Sequence, residues 1–396
     1  MKVFLNENVV DAARRRIAWL FDEFDVVVAS MSGGKDSTVV FHLCIEEAKR
    51  RGIERLPVLW LDQEAEWQGV VDYMEEIMYR PDVDPMWLQV PFRIFNATSH
   101  EDSWLTAWEE GREWMRPKDP ISIQENTFKT DRFTKVLDAA IKARYEGAKT
   151  CVVAGMRAEE SPTRYSALTG QVTYKGETWG KKHQCKDHYN MYPIYDWSFS
   201  DVWKFIHDEG CPYASVYDYQ YQYGMALKDM RVSNLHHESA FQQLFYLQEC
   251  EPETWVKLTQ RLSGIDTAAK VQGDGYKPPK ELPYMFADWA EYRDYLVDNL
   301  VSDEDTRDIF RKQFAKMDDR YDGINDSGHT QLMKVMIESV LVNDYHFTKL
   351  TNAVRRPAFV AFEYCKSGRE KNTLEQLREK KMAVYIEGTK YAEMLG

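Results

Sequence analysis

The sequence predicts a doubly wound, mostly parallel α/β sheet with a helical C-terminal region, and three observations carry that prediction. Short apolar runs alternate with helical patterns from Asp25 to Gly155, the rhythm that a parallel sheet with crossover helices produces. Paired glycines, Gly33 and Gly34, sit where the first apolar run gives way to the first helical pattern. From Ala287 onward four or five helical patterns follow one another with no strand pattern of comparable strength. The 396 residues, 44% of them apolar, can bury one large core or two smaller ones, and the length favours two to three domains.

Taken in order, Asn8 to Phe24 reads as a charged helix and Asp25 to Ser30 as a strand. Thr38 to Arg51 places Val39, Val40, Leu43 and Cys44 on one face, ends in Lys49-Arg50-Arg51 and stops at Gly52, so it reads as a helix. Leu56 to Leu61 is a second strand ending at Asp62, Gln68 to Met78 a helix, and Trp87 to Val90 a third strand. Pro91 to Lys129, with Trp104, Trp108 and Trp114 in a weak helical pattern, reads as an insertion over the sheet. Arg132 to Tyr145 is a helix stopped by Gly147, and Thr150 to Gly155 a strand. Ser198 and Asp201 have capping-box spacing before an amphipathic helix that ends at Gly210-Cys211-Pro212. These elements define an α/β domain over 1–225. A helical extension and a Gly/Pro-rich linker span 226–285, and a helical region spans 286–396.

Ser32-Gly33-Gly34-Lys35-Asp36-Ser37-Thr38 carries the chemistry. A strand that stops at paired glycines and restarts as a helix aims bare N–H groups and the positive helix terminus at one point, which suits an anion. Glycine has no Cβ to hold phosphate oxygens away, Lys35 offers a point charge, and Ser32 and Ser37 offer hydroxyls. A Walker A loop is excluded by spacing, because Ala29 stands at its first glycine and Asp36 where its metal-binding hydroxyl belongs. A glycine turn without a ligand is the plainer alternative.

Ligands of open parallel sheets bind beyond the carboxyl ends of the strands. The residues gathered there are Ser30 and Ser32 to Thr38 after the first strand, Asp62, Glu64 and Glu66 after the second, and Gly155, Arg157 and Arg164 after the fourth. Arg157 and Arg164 suit phosphate oxygens. The carboxylates of Asp36, Asp62, Glu64 and Glu66 would repel a polyphosphate unless Mg²⁺ intervened, which makes them candidate magnesium ligands; solvation of a loop is the other reading of Glu64 and Glu66. His183, Cys185 and His188 offer a zinc-like set at a spacing that matches no standard pattern. Lys35, Asp36 and Arg157 are the candidate catalytic groups.

Composition bounds the partners. No apolar run approaches the ~20 residues of a membrane span, and no signal peptide is visible. Six dispersed cysteines read as reduced thiols, so a cytoplasmic protein is expected. A net charge of −13 opposes broad nucleic-acid binding.

Ser-Gly-Gly-x-Asp-Ser resembles the PP-loop of the N-type ATP pyrophosphatases, the adenine-nucleotide α-hydrolases. Together with Asp62 to Glu66, Gly155 to Arg164, and Pro193 to Ser198 with Asp201-Val202-Trp203, it occurs in the order found in the phosphoadenosine phosphosulfate (PAPS) reductase-like family, over roughly residues 25 to 220. Later segments, Met230 to Ser233, Glu251 to Leu258 and Arg261 to Gly264, resemble the subgroup related to immunoglobulin-binding regulator A of prophages. The resemblance implies a domain that grips ATP or a PAPS-like nucleotide with Mg²⁺ and works at the α-phosphate. Ser32, Gly33, Gly34, Asp36 and Ser37 would serve as phosphate-loop residues and Arg157 as a further anion contact. It also implies a possible ParB-like partner protein. The chain departs from true reductases in lacking Glu-Cys-Gly-x-His. Glu249-Cys250-Glu251-Pro252 surrounds its cysteine with negative charge, and Cys365 has no motif, so no thiol chemistry is expected.

Overall fold

A computed structural model describes residues 5–99, 102–170, 172–182, 187–237, 240–265, 269, 277–366 and 383–391. The chain forms two compact units. The first comprises Met1–Ile94, Thr106–Leu235 and Gln243–Arg261, the second Phe95–Leu105, His236–Gln242 and Leu262–Gly396. The α/β unit therefore includes residues beyond 225, up to Leu235 and again from Gln243 to Arg261. Residues 226–285 are shared between the two units and form no body of their own.

In the first unit a six-stranded sheet has the order β3-β2-β1-β6-β8-β7. Its strands are β1 (Val26–Met31), β2 (Leu56–Leu61), β3 (Val83–Leu88), β6 (Thr150–Val153), β8 (His188–Met191) and β7 (Gly180–Lys182). All pairings are parallel except β7 with β8. Val27, Val28 and Ala29 of β1 are buried, as the β-branched, two-sided apolar run requires. Pairing of β1 with β2 on one side and β6 on the other makes β1/β6 the point where strand order reverses. In such sheets the crevice for a ligand opens there.

The helices are α1 (Val9–Glu23), α2 (Lys35–Arg50), α3 (Gln68–Met78), α4 (Phe133–Arg144), α5 (Pro162–Thr169), α6 (Phe199–Asp208), α7 (Val216–Gln222), α8 (Phe241–Cys250) and α9 (Pro252–Arg261). Asn8 caps α1 by accepting from the Val10 and Asp11 N–H groups, and Ser198 with Asp201 forms the expected capping box on α6. The expected helices before α5 are found within a few residues of their sequence bounds. Helix α2 starts earlier, at Lys35, because Gly33 at φ +69° completes the turn out of β1. The weak helical pattern around Trp104 does not form a helix. Two short strands, β4 (Phe92–Phe95) and β5 (Trp104–Ala107), pair there as a separate two-stranded sheet. Trp108, at φ +56°, is fully buried in the loop that follows. Strands β7 and β8 carried too few apolar residues to be read from sequence.

The second unit is helical, as its sequence predicts, with α10 (Trp289–Leu300), α11 (Glu304–Arg320), α12 (Asp326–Leu341), α13 (Thr348–Ala353) and α14 (Pro357–Lys366). Phe310, Phe314, Leu332, Met336, Ile337, Val340, Leu350, Phe359 and Phe362 form its core. The segment 95–105 belongs here because Asn343 donates to the carbonyls of Ala97 and Ser99 at 2.8 and 3.2 Å. Among the described residues, no helix is long and apolar enough to cross a membrane.

Gly155, just past β6, lies against the start of α2. A Cβ there would stand 2.5 Å from the Asp36 carbonyl carbon and 2.7 Å from the Ser37 nitrogen, both backbone atoms that cannot rotate away. Gly155→Ala is therefore expected to destabilise the protein by about 1–3 kcal/mol, the usual cost of overpacking. A lower urea midpoint at unchanged slope checks this; an unchanged midpoint contradicts the close approach.

Candidate functional site

The loop from Ser32 to Thr38 is braced from within. The Ser32 N–H donates to Ser37 Oγ at 3.3 Å, and the hydroxyls of Ser37 and Thr38 donate to the Gly34 carbonyl at 2.8 and 3.2 Å. A Cβ on Gly33 would lie 2.5 Å from Val70 Cγ1, so two constraints, φ and space, require glycine at that position. Gly34 differs. Its φ is −79° and a Cβ would meet Ser32 Oγ and Tyr217 OH at ordinary distances of 3.5 and 3.6 Å. Gly34 is the N-cap of α2 and supplies no side-chain cap, which leaves the first turn's N–H groups for other acceptors. One is taken: the Lys35 N–H donates to the Tyr217 hydroxyl at 2.8 Å. Burial holds Tyr217 far above its ordinary pKa, as a neutral phenol.

Lys35, Asp36 and Arg157 come together as expected, but in contact with one another. Arg157 Nε donates to Asp36 Oδ1 at 2.5 Å, and Lys35 Nζ donates to Asp36 Oδ2 at 3.1 Å and to the Met230 carbonyl at 3.2 Å. Lys35 and Arg157 are both buried. The expected free point charge at Lys35 is thus anchored inward, and the Arg157 guanidinium braces Asp36. Two cations on one carboxylate leave the cluster with a net positive charge beside the loop. Arg164 is a half-exposed partner of Glu160 one turn away, on the surface of α5. Ser30, the next-to-last residue of β1, lines a cavity of about 100 Å³ with Leu59, Leu137, Ala154 and Asn190, on the sheet face that α4 covers.

Beyond β2 the carboxylates are buried, and arginines take the place in which sequence reasoning put magnesium. Asp62, fully buried, accepts from Arg116 at 2.6 Å, from the Trp87 indole at 3.0 Å and from Gln89 at 2.9 Å. Glu64, also fully buried, accepts from Arg261 at 2.6 and 3.1 Å and from the Trp108 and Met115 N–H groups at 2.7 and 3.3 Å. Its backbone is left-handed at φ +67°, a conformation that costs a non-glycine residue about 1–3 kcal/mol unless its surroundings fix it. With their oxygens occupied by these donors, Asp62 and Glu64 do not fit a magnesium ion. Glu66 accepts from the Gln63 N–H at 3.0 Å; burial first, then the charge of Asp62, push its pKa up to about 8, against the pull of Arg116. Among the described residues no cluster of three or more His, Cys, Asp or Glu is placed to hold a metal. His183 and Cys185 lie outside the described residues. His188 stands in β8, in register with Thr150.

Sequence reasoning missed Tyr217, Arg116 and Arg261. Tyr217 is 182 residues from its partner and Arg261 is 197 from Glu64, and no local pattern marks either. Of the cysteines, burial, with Glu249 and Glu251 adding to it, raises the Cys250 thiol, and burial raises Cys365.

The α/β unit thus starts its second helix uncapped at the switch point of a parallel sheet, turned by a left-handed glycine and bordered by two buried cations. The phosphoadenosine phosphosulfate reductase domain family matches residues 26–223, half of the chain, and the chain belongs to that family. A second match, a domain of unknown function designated DUF3440, covers residues 224–389. The uncharacterized protein YbdN of Escherichia coli K12 is 27% identical over 331 residues, covering 79% of this chain and 80% of that protein. Sulfate adenylyltransferase subunit 2 of Sulfurovum sp. is 25% identical over 208 residues, 49% of this chain and 61% of that subunit. A crystal structure of Candida glabrata FMN adenylyltransferase with FMN and an ATP analogue aligns over 55% of this chain and 65% of that one, at 14% identity and a TM-score of 0.35. None of these names the immunoglobulin-binding regulator subgroup.

The raised Glu66 pKa has a defined consequence for stability. Between its ordinary value of 4.5 and about 8 the folded protein holds a proton that the unfolded chain releases. Stability is therefore expected to fall as pH rises through that window. Glu66→Gln should flatten the dependence, matching wild type near pH 5 and exceeding it at pH 9. Urea midpoints at the two pH values measure this, and equal slopes in both proteins would contradict it.

Proposed function

We propose that the protein binds ATP, or a closely related adenine nucleotide, at the 32–38 loop and acts at its α-phosphate. The observation that carries this reading is the uncapped N-terminus of α2, turned by Gly33 at the β1/β6 switch point with Lys35 and Arg157 beside it. The α2 N–H groups and the positive cluster would receive the β- and γ-phosphates. An acceptor oxygen then attacks the α-phosphorus as the bond to the bridging oxygen breaks. Pyrophosphate leaves with the electron pair, and the acceptor's proton passes to solvent. The loop lowers the barrier by stabilising charge that develops on the departing pyrophosphate. Magnesium bound to the triphosphate would share in that neutralisation, and Asp36, whose two oxygens are held by Arg157 and Lys35, would have to exchange one of these partners to meet it.

Resemblance to sulfate adenylyltransferase subunits over half the chain supports adenylyl chemistry over reduction. Reductive chemistry would need a thiolate, and both cysteines raised for that role are held above their ordinary pKa.

Calorimetry with ATP and incubation with α- and γ-labelled ATP test the reading. Binding with release of AMP or an adenylylated acceptor plus pyrophosphate is expected. ADP plus phosphate would contradict the site of attack, and binding without cleavage would point to a nucleotide-sensing role. Gly34→Val should leave the melting temperature unchanged, since the position has room and an ordinary φ, yet weaken ATP binding at least about tenfold by filling the cradle. Arg157→Ala should cost about 1.5–3 kcal/mol of affinity, the range for a charge-assisted hydrogen bond. Unchanged affinity in both variants would contradict the site.

A further inference from the structure

The segment that leaves β2 and enters the first turn of α3, residues 62–69, is held from one side by chain beyond the reductase-domain match. Glu251 accepts from the Gln68 and Gly69 N–H groups at 2.7 and 2.9 Å, supplying from a distance the cap that Trp67 cannot give α3. Arg261 grips both oxygens of Glu64 and donates to the Thr106 carbonyl at 2.7 Å. Between these two residues lies one helix, α9. A third contact, from the Leu235 N–H to the Ala65 carbonyl at 3.1 Å, closes the same loop in its middle. The approach at Gly69 is close: a Cβ would stand 2.4 Å from Ser215 Oγ and 3.3 Å from Glu251 Oε1.

We propose that α9 is a strut for the nucleotide site, and that Arg261 is a positioning residue that holds the 62–69 loop in its left-handed form by acting through Glu64. This rests on the nucleotide reading above and assigns a role to residues of the domain of unknown function that fold with the first unit, those up to Leu235 and Gln243–Arg261. The physical reason is the fully buried Glu64 carboxylate. With Arg261 it is paired in a fork; without Arg261 it keeps two backbone donors but loses the cation that bridges its two oxygens, Arg116 being committed to Asp62, and an under-paired buried charge drives local opening. The loop then gives up its φ of +67° at Glu64, and with it the placement of Asp62, whose backbone carbonyl accepts from the Trp108 indole at 2.8 Å. Arginine is specific here, because lysine offers one point donor where two oxygens need two.

Hydrogen exchange on the full chain without nucleotide, together with ATP titration, tests the proposal. Arg261→Met should speed exchange of peptides containing Trp108, Met115 and residues 64–69 about tenfold and weaken ATP binding about tenfold, within the range of coupling between touching residues. Glu64→Gln/Arg261→Met removes both charges and should recover most of the lost affinity, which loss of α9 packing alone would not allow. Unchanged exchange in Arg261→Met, or a double variant as weak as the single, overturns the proposal. Where Arg261→Met does not fold, Arg261→Lys carries the test: faster exchange at Trp108 and Met115 is expected, and wild-type exchange overturns it. Wild-type protein that binds no ATP overturns the nucleotide reading, and the exchange arm still decides whether α9 holds the loop.

Discussion

One close approach organises the site: the backbone just past β6 passes against the backbone that opens α2, with no room for a side chain at Gly155. In this chain the loops that follow these two neighbouring parallel strands meet this closely because Gly155 carries no Cβ. That approach puts Arg157 within reach of Asp36, and Asp36 within the first turn of α2. Gly33 performs the matching task on the other side, where Val70 of α3 closes in. The two glycines differ in what they supply, one space alone and the other space and a left-handed turn.

The electrostatics of the site rest on arginine. Four carboxylates near the strand ends would be expected to require a divalent cation, yet Arg157, Arg116 and Arg261 neutralise three of them in short, buried pairs. Glu66 is the fourth, and burial, with the charge of Asp62 beside it, raises its pKa against the pull of Arg116. Arg116 remains cationic against burial because Asp62, Glu66 and Glu64 surround it. A buried ion pair is weak as a source of stability, but its loss leaves an isolated charge, so such pairs fix geometry more than they strengthen the fold.

The parts of this molecule legible in its sequence were those set by local rules. Period and punctuation revealed α1 to α4 and the strands β1, β2 and β6, because their apolar residues repeat with the element's own geometry and glycines mark their ends. The 32–38 loop was legible because its residues are contiguous. Strands β7 and β8 and the pair β4/β5 were not, since three- and four-residue strands with charged or aromatic residues have no periodicity to read. Trp108 shows the limit: its helical spacing from Trp104 was real, but its indole serves the Asp62 carbonyl from a left-handed backbone. The pairing of Asp62 with Arg116 and of Glu64 with Arg261 spans 54 and 197 residues, so the carboxylates' true partners were outside any local window.

The boundary between the two matched families falls at residues 223 and 224, whereas the α/β unit continues to Arg261. The physical continuity is plain in the bonds that cross that boundary. Lys35 reaches the Met230 carbonyl, Gln220 both donates to and accepts from the Arg231 backbone, and Leu235 closes on Ala65. A phosphate loop followed by a bare parallel sheet would leave the Lys35 ammonium with Asp36 alone and the α3 N-terminus without its acceptor. Met230 and Glu251, both beyond the boundary, supply these, so in this chain the extension completes the α/β unit.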